Sequence, residues 1–361
     1  MSAAAPDVRL PSPASSEDRA PLRIELMSPA DAVAWDAFVT AHKDGTFFHL
    51  SAWARVLKRA FGHRSYYLTA KIDSRIVGVL PLARVRSALF GDALASTPFC
   101  VYGGALADDE TIRKALEDRA GQLADELQVD HLELRNTTKT REDWPVKELY
   151  FTFRKQLDAD PEKNMLAIPR KQRAEVRAGI KNNLQVEFDT DTRRLYSIYS
   201  TSVRALGTPV FSRKYFDVLR EEFGAACEIS TIVHEGNAVA SLMTFWFRDE
   251  VLPYYGGGMP AARPLSAYDF LYWDLMRRAC ERGTRIYDFG RSKIDTGPFR
   301  YKKHWGFEPK PLPYSYKLVR SKSVPNLSPT NPKYKPFIEA WKRVPLPVTQ
   351  FIGPMVAKYL G

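Results

Sequence analysis

Between residues 286 and 307 the sequence reads IYDFGRSKIDTGPFRYKKHWGF, which gathers Arg291, Lys293, Arg300, Tyr301, Lys302, Lys303 and Trp305 around one Gly297-Pro298 turn. Fixed cations interleaved with aromatics bind phosphates, or stabilise negative charge as it develops on an attacked carbonyl. A second basic set lies in IPRKQRAEVRAGIKNNLQVEF. On a helix, Val176, Ile180 and Leu184 there share an apolar face, and Arg170, Arg173, Arg177 and Lys181 fall on another. That basic stripe reads either as a phosphate-contacting edge or as the solvated side of a connecting helix. The run YYGGGMP, residues 254–260, reads either as a tight turn or as a place where a ligand or a neighbouring strand comes close to the backbone.

Other chemistries find no pattern here. Around Asp288-Phe289-Gly290 there is none of the Gly-rich loop, strand lysine and HRD loop that a kinase requires, so the triplet reads as a strand end with Gly290 allowing a sharp turn. Asp288 is otherwise an orienting group. No G-K-[ST] completes a phosphate loop. The six histidines are scattered, and Cys100, Cys227 and Cys280 have no metal-ligand spacing. Neither a covalent nucleophile nor a metal is expected, which leaves positioning and charge stabilisation.

The elements that must hold these residues form two similar series. Length, 361 residues, is more than one ordinary domain, and 45% hydrophobic with 12% aromatic residues suffices for real cores. Residues 1–20, rich in Ala, Ser and Pro, are expected to be mobile. From residue 21 to 160 the order is strand, helices, β-hairpin, further strands, the amphipathic helix DDETIRKALEDRAGQLADELQ and the strand HLELRN. Residues 161–320 repeat it, with an EGN turn at 235–237 between strands. Mixed α/β structure with largely antiparallel sheets is predicted. Residues 321–361 form a Pro-interrupted tail with six Lys or Arg against one Glu. This tail either lies on an acidic membrane surface or packs Phe337, Trp341, Phe351 and Val356 back onto the body. A net charge of +11 favours polyanions: tRNA, an anionic membrane surface or a phosphorylated precursor. With no secretory signal and no apolar run of spanning length, a cytoplasmic protein is expected, with peripheral contact at the inner face of the inner membrane through the tail.

YKKHWGF after YDFGRSKIDTGP, the basic helix before a strand, and FFHLSAWARVLKRAFG near the start together resemble the FemAB family of peptidyltransferases over roughly residues 22–318. More narrowly, the chain is similar to FemAB-like proteins associated with exosortase, PEP-CTERM and exopolysaccharide loci. The resemblance implies two tandem acetyltransferase-like (GNAT) domains and transfer of an aminoacyl or acyl group to an amine of a cell-envelope or exopolysaccharide precursor, nucleotide- or lipid-linked. It implies no cofactor, the donor being aminoacyl-tRNA or acyl-CoA. The family's aromatic-Lys-x-x-aromatic-Gly motif falls on Tyr301, Lys302, Trp305 and Gly306, which makes Lys302 the catalytic candidate. By motif position Lys58, Arg213, Tyr215 and Tyr255 become candidates for binding the precursor, and Arg291, on the loop before the motif, for binding its phosphate or the oxyanion of the attacked carbonyl. Two departures stand out: no long insertion forms a helical arm, and the loop after VLPYY lacks the Arg/Gln-x-x-Gly-x-Gly/Ala run that holds coenzyme A pyrophosphate. Alternatives are an acyl-CoA-dependent N-acyltransferase of polysaccharide biosynthesis, a noncatalytic precursor-binding module, and plain RNA binding.

Overall fold

The computed structural model describes residues 20–325 and 334–360. The segment 1–20, expected to be mobile, lies outside them apart from its last residue. The first half runs β1 (Arg23–Leu26), α1 (Ala32–Ala41), α2 (Ala52–Phe61), β2 (Arg64–Ser65), β3 (Leu68–Ile72), β4 (Arg75–Leu80), β5 (Leu82–Ser87), β6 (Gly91–Ser96), β7 (Leu106–Ala107), α3 (Glu110–Glu126), β8 (His131–Leu134) and β9 (Val146–Gln156). The second runs α4 (Pro161–Ala167), α5 (Arg170–Lys181), β10 (Gln185–Phe188), α6 (Arg193–Ala205), α7 (Arg213–Phe223), β11 (Cys227–His234), β12 (Asn237–Phe247), β13 (Glu250–Gly258), α8 (Ala267–Glu281), β14 (Ile286–Lys293), α9 (Gly297–His304), β15 (Pro309–Leu318), α10 (Lys335–Arg343) and α11 (Leu346–Ala357). The expected EGN turn joins β11 to β12, with Glu235 and Gly236 both at positive φ, as a two-residue hairpin turn requires.

Strands β1, β3, β4 and β7 form a small antiparallel sheet. The other eleven make one sheet in the order β10-β11-β12-β13-β14-β9-β15-β8-β6-β5-β2. Among the described residues only β6–β8 and β13–β14 pair in parallel, each across a helical crossover, α3 in one half and α8 in the other. The mixed, mostly antiparallel α/β fold and its repeated order are therefore as predicted. Strands β9 and β15 lie together in mid-sheet, β9 against β14 of the second half and β15 against β8 of the first. Each half has its own core, and a third, aromatic core is shared: Trp35, Phe47 and Trp53 pack with Tyr215, Phe216, Phe245 and Tyr255.

Two expectations need correction. On α5 the buried positions are Gln172, Val176 and Gly179, while Ile180 is exposed. The reason is the crossing with α8, where Gly179 lies so close that a Cβ there would sit 2.8 Å from Phe270 Cβ. The glycine run 256–258 is neither a turn nor a ligand cradle but the end of β13, where a Cβ on Gly257 would stand 2.7 Å from Tyr199 Cα of α6. These glycines admit a helix. Filling the α5–α8 crossing with Gly179→Val should cost about 1–3 kcal/mol of stability, measured by denaturant unfolding.

Candidate active site

Strands β13 and β14 are paired only at Glu250–Ile286 and Val251–Tyr287 and then part. Each carries a bulge beside the parting. On β13 the register against β12 shifts between Met243 and Thr244, so Tyr254 and Tyr255 both pack toward the shared aromatic core. On β14 the register against β9 shifts between Asp288 and Arg291, with Gly290 at φ +65°, a conformation glycine adopts at no steric cost. The DFG triplet therefore lies inside a strand, not at its end. The Gly297-Pro298 pair, expected as a turn, opens α9, with Pro298 in the first turn, where its missing N–H costs nothing.

That helix carries Lys302 to the bulge. Lys302 Nζ donates to the carbonyls of Gly290 and Arg291, both at 3.1 Å, and lies 5.4 Å from the Phe153 ring centroid. The motif's other members fix the helix: the Tyr301 hydroxyl donates to Asp269 Oδ1 at 2.7 Å, Trp305 is fully buried, and Gly306 turns the chain at φ +76°. Burial pushes the Lys302 ammonium down to about 7, aided by Arg291 and opposed by Asp288. At the end of β14 burial, with Arg291 and Lys147 nearby, pushes Lys293 down to about 8.

Asp288 is buried and accepts from the Gly290 N–H at 2.7 Å and the Tyr102 hydroxyl at 3.0 Å. Arg154 sits between two acids, bonded to Glu250 and with Nε 3.4 Å from Asp288 Oδ2. Burial raises both carboxyls, and Arg154 opposes the rise. Residues 97–104 of the first half lie across the parting of the strands. The Tyr254 hydroxyl donates to Phe99 O at 2.9 Å, Arg135 to Cys100 O at 2.7 Å, and Tyr314 to Val101 O. Val101 comes against Gly290, 3.6 Å from where a Cβ would be. Cys100 is buried and its thiol is pushed up by burial, which suits packing and not nucleophilic attack. Three clefts of about 420, 700 and 410 Å³ open beside this network, all lined by Thr137 and two of them by Arg154.

The six residues expected from sequence fall into two groups. Lys302 and Arg291 share β14's bulge; Arg291 stacks 4.6 Å from the Tyr150 ring centroid and donates to the Tyr314 hydroxyl at 3.1 Å. Tyr215 and Tyr255 are buried, joined hydroxyl to hydroxyl at 2.9 Å, and satisfy one another. Arg213, exposed, begins α7 beside that pair, its Nε 3.7 Å from Asp217. Lys58 is exposed on α2, whose Phe61 packs on Tyr215 at 4.7 Å. Phe99 links the groups, touching Phe61 on one side while its own loop reaches Gly290 on the other. Arg154, Tyr102 and the loop 97–104 were not anticipated. The one signal for the loop was a Pro, a Cys and two Gly following a strand in TPFCVYGG.

The parallel pair that opens beyond its first residues, with the crossover helix behind it, sets the comparison with known proteins. Residues 170–303 match the acetyltransferase (GNAT) domain model. The match lies within the second half. By sequence, no curated protein matches the chain. Among solved structures the fold is similar to FemX, at 14% identity over 88% of this chain and 100% of that one, with a TM-score of 0.65. It is also similar to the C-terminal domain of a putative lysylphosphatidylglycerol synthetase from Agrobacterium fabrum (12% identity, 81% of this chain and 92% of that one, TM-score 0.53). A third similar fold is the tandem GNAT protein from the clavulanic acid biosynthesis pathway (14% identity, 85% and 100%, TM-score 0.52). The architecture is thus two tandem acetyltransferase-like domains.

Two measurements check the site's electrostatics. Arg154→Met leaves Glu250 and Asp288 buried without their cation and should cost about 3–5 kcal/mol in denaturant unfolding. Lys302 titrates at about 7 in the folded chain and, by its side-chain type, at about 10.4 unfolded, so the unfolded state binds more protons between those values. Relative to Lys302→Met, the melting temperature of the unaltered protein is therefore expected to rise between pH 7 and about 10. A pH-independent difference would contradict the burial of that ammonium.

Proposed function

We propose that the protein transfers an aminoacyl group from an aminoacyl-tRNA ester to an amine of a nucleotide- or lipid-linked cell-envelope or exopolysaccharide precursor. The observation that carries the reading is the Lys302 ammonium, held by two carbonyls at the parting of β13 and β14 within the GNAT domain. The likeness to FemX and to a domain of a putative lysylphosphatidylglycerol synthetase supports aminoacyl transfer as the chemistry.

In the reaction the acceptor amine adds to the ester carbonyl carbon, and negative charge develops on the carbonyl oxygen. Two of the three Lys302 N–H groups are engaged by backbone carbonyls, which leaves one donor to meet that oxyanion. Collapse forms the amide and expels the ribose hydroxyl, which takes up the proton the amine loses. Arg291 and the exposed Arg213 and Lys58 provide charge for the phosphates of the precursor.

Charge at the crossover helices favours the ester over a coenzyme A thioester. A coenzyme A pyrophosphate at a helix N-terminus needs free N–H groups and a positive field. The cap residue of helix α8, Ser266, donates to Glu175 at 2.9 Å, and Asp269 lies in its first turn, so carboxylates crowd that N-terminus. Helix α3 starts among Asp108, Asp109 and Glu110. Both entrances repel a pyrophosphate.

Incubation with labelled aminoacyl-tRNA, and separately with labelled acyl-CoA, in a lysate containing the precursors should move label into a lipid or polymer fraction only from the first. Lys302→Ala should lower kcat by about 10²–10³-fold. Because the charged lysine is lost as pH rises through about 7, kcat/KM should fall above that pH, and Lys302→Arg, which stays charged, should lose that alkaline limb. Unchanged transfer with weakened binding in Lys302→Ala would assign the residue to binding alone.

A further inference from the structure

Helix α11 has two apolar faces. Its inner face is made of small residues: Thr349, Gly353 and Ala357 are buried at i, i+4 and i+8. A Cβ on Gly353 would stand 3.0 Å from the backbone of Val210. Gln350 donates to Ser200 Oγ at 2.8 Å, and His63 Nε2 lies 2.7 Å from the carbonyl of Lys358. The helix is therefore fastened to both halves of the chain without using the large apolar side chains of its outer face. Those point outward: Val348, Phe351, Ile352 and Met355, at i, i+3, i+4 and i+7, are exposed, Phe351 to 72% and Met355 to 54%. Phe337 of α10 and Leu360 are exposed as well. Sequence alone left packing onto the body and contact with a membrane as alternatives, and the two faces accommodate both.

We propose that this outer face sits in the interface of an anionic lipid bilayer. Such a helix buries its apolar stripe at the acyl boundary and meets headgroup phosphates with cations. Across α10, α11 and the residue after them, Lys335, Lys342, Arg343 and Lys358 stand against the single carboxylate of Glu339, which pairs with Lys342. A second copy of this chain would bring two such cationic tails together, so charge complementarity selects the lipid surface. Twelve residues of helix reach about 18 Å, and among the described residues no helix is long and apolar enough to cross a membrane, so α11 lies in the plane of the surface. Its far end is next to the candidate site: Tyr359 lines the same small cavity as Tyr150, the ring on which Arg291 stacks. Membrane contact here would present a lipid-linked acceptor to the site. That last link rests on the proposed function; the surface itself does not.

Flotation of the full chain with vesicles of equal parts phosphatidylcholine and phosphatidylglycerol, and with pure phosphatidylcholine vesicles, tests this. Binding to the mixed vesicles and little to the pure ones is expected. Phe351→Ser with Met355→Ser should weaken it by about tenfold or more, with an unchanged melting curve because both side chains are exposed. Should that pair unfold, Lys342→Glu with Arg343→Glu, at exposed positions, should remove the preference for the anionic vesicles. No flotation, equal flotation of these variants, or a dimer in sedimentation velocity that the apolar substitutions dissolve would each overturn the proposal. Loss of vesicle binding with intact transfer to a water-soluble acceptor would separate this surface from the catalytic reading.

Discussion

A strand that leaves its partner must find something else for its carbonyls, and at β14 that something is Lys302. Past Tyr287 the parallel pairing with β13 stops, the bulge aims the Gly290 and Arg291 carbonyls at α9, and one ammonium receives both. Asp288 holds the other side of the bulge through the Gly290 N–H. An unpaired buried carbonyl is costly, and so is an unpaired buried ammonium; together they satisfy one another where the sheet opens. Removing either would leave the other without a partner.

The rest of the molecule is arranged around that opening. The loop at residues 97–104 comes from the first half, yet its carbonyls are held by side chains from both: Arg135 from the first, Tyr254 and Tyr314 from the second. A buried loop must have its polar backbone satisfied, and here that requirement joins the domains. The shared aromatic core makes the join apolar as well, so the relative position of the two halves is set by packing and by hydrogen bonds to the same few residues. Arg154, between Glu250 and Asp288, extends the polar side of the join toward the clefts.

Much of this was legible in the residues. Period-two and period-3.6 patterns located the strands and helices, the EGN turn fell where two positive φ values occur, and the motif at Tyr301, Lys302, Trp305 and Gly306 marked the helix that bears the ammonium. What failed did so for tertiary reasons. Ile180 looks buried by spacing alone, but the helix rotates to bring Gly179 onto Phe270, because only there do two backbones come that close. The glycines at 256–258 look like a loop, but they serve a helix packed on a strand. Asp288 looks like a strand end because its neighbour Gly290 breaks regular geometry, and only the pairing with β9 shows the strand continuing through a bulge. Arg154 and Tyr102 carry no local pattern at all; they matter because the sheet brings distant residues against them, Tyr102 meeting Thr152 from 50 positions away and Asp288 from 186, and Arg154 meeting Glu250 from 96.

The most direct test of the central claim is the protonation of Lys302 itself. Nuclear magnetic resonance of the lysine side chains, with Lys302 assigned by its disappearance in Lys302→Arg, would follow that one amine through a pH titration. A midpoint of about 7 is the result expected from an ammonium enclosed at the bulge. A midpoint near 10.4, that of a solvated lysine, would contradict the account.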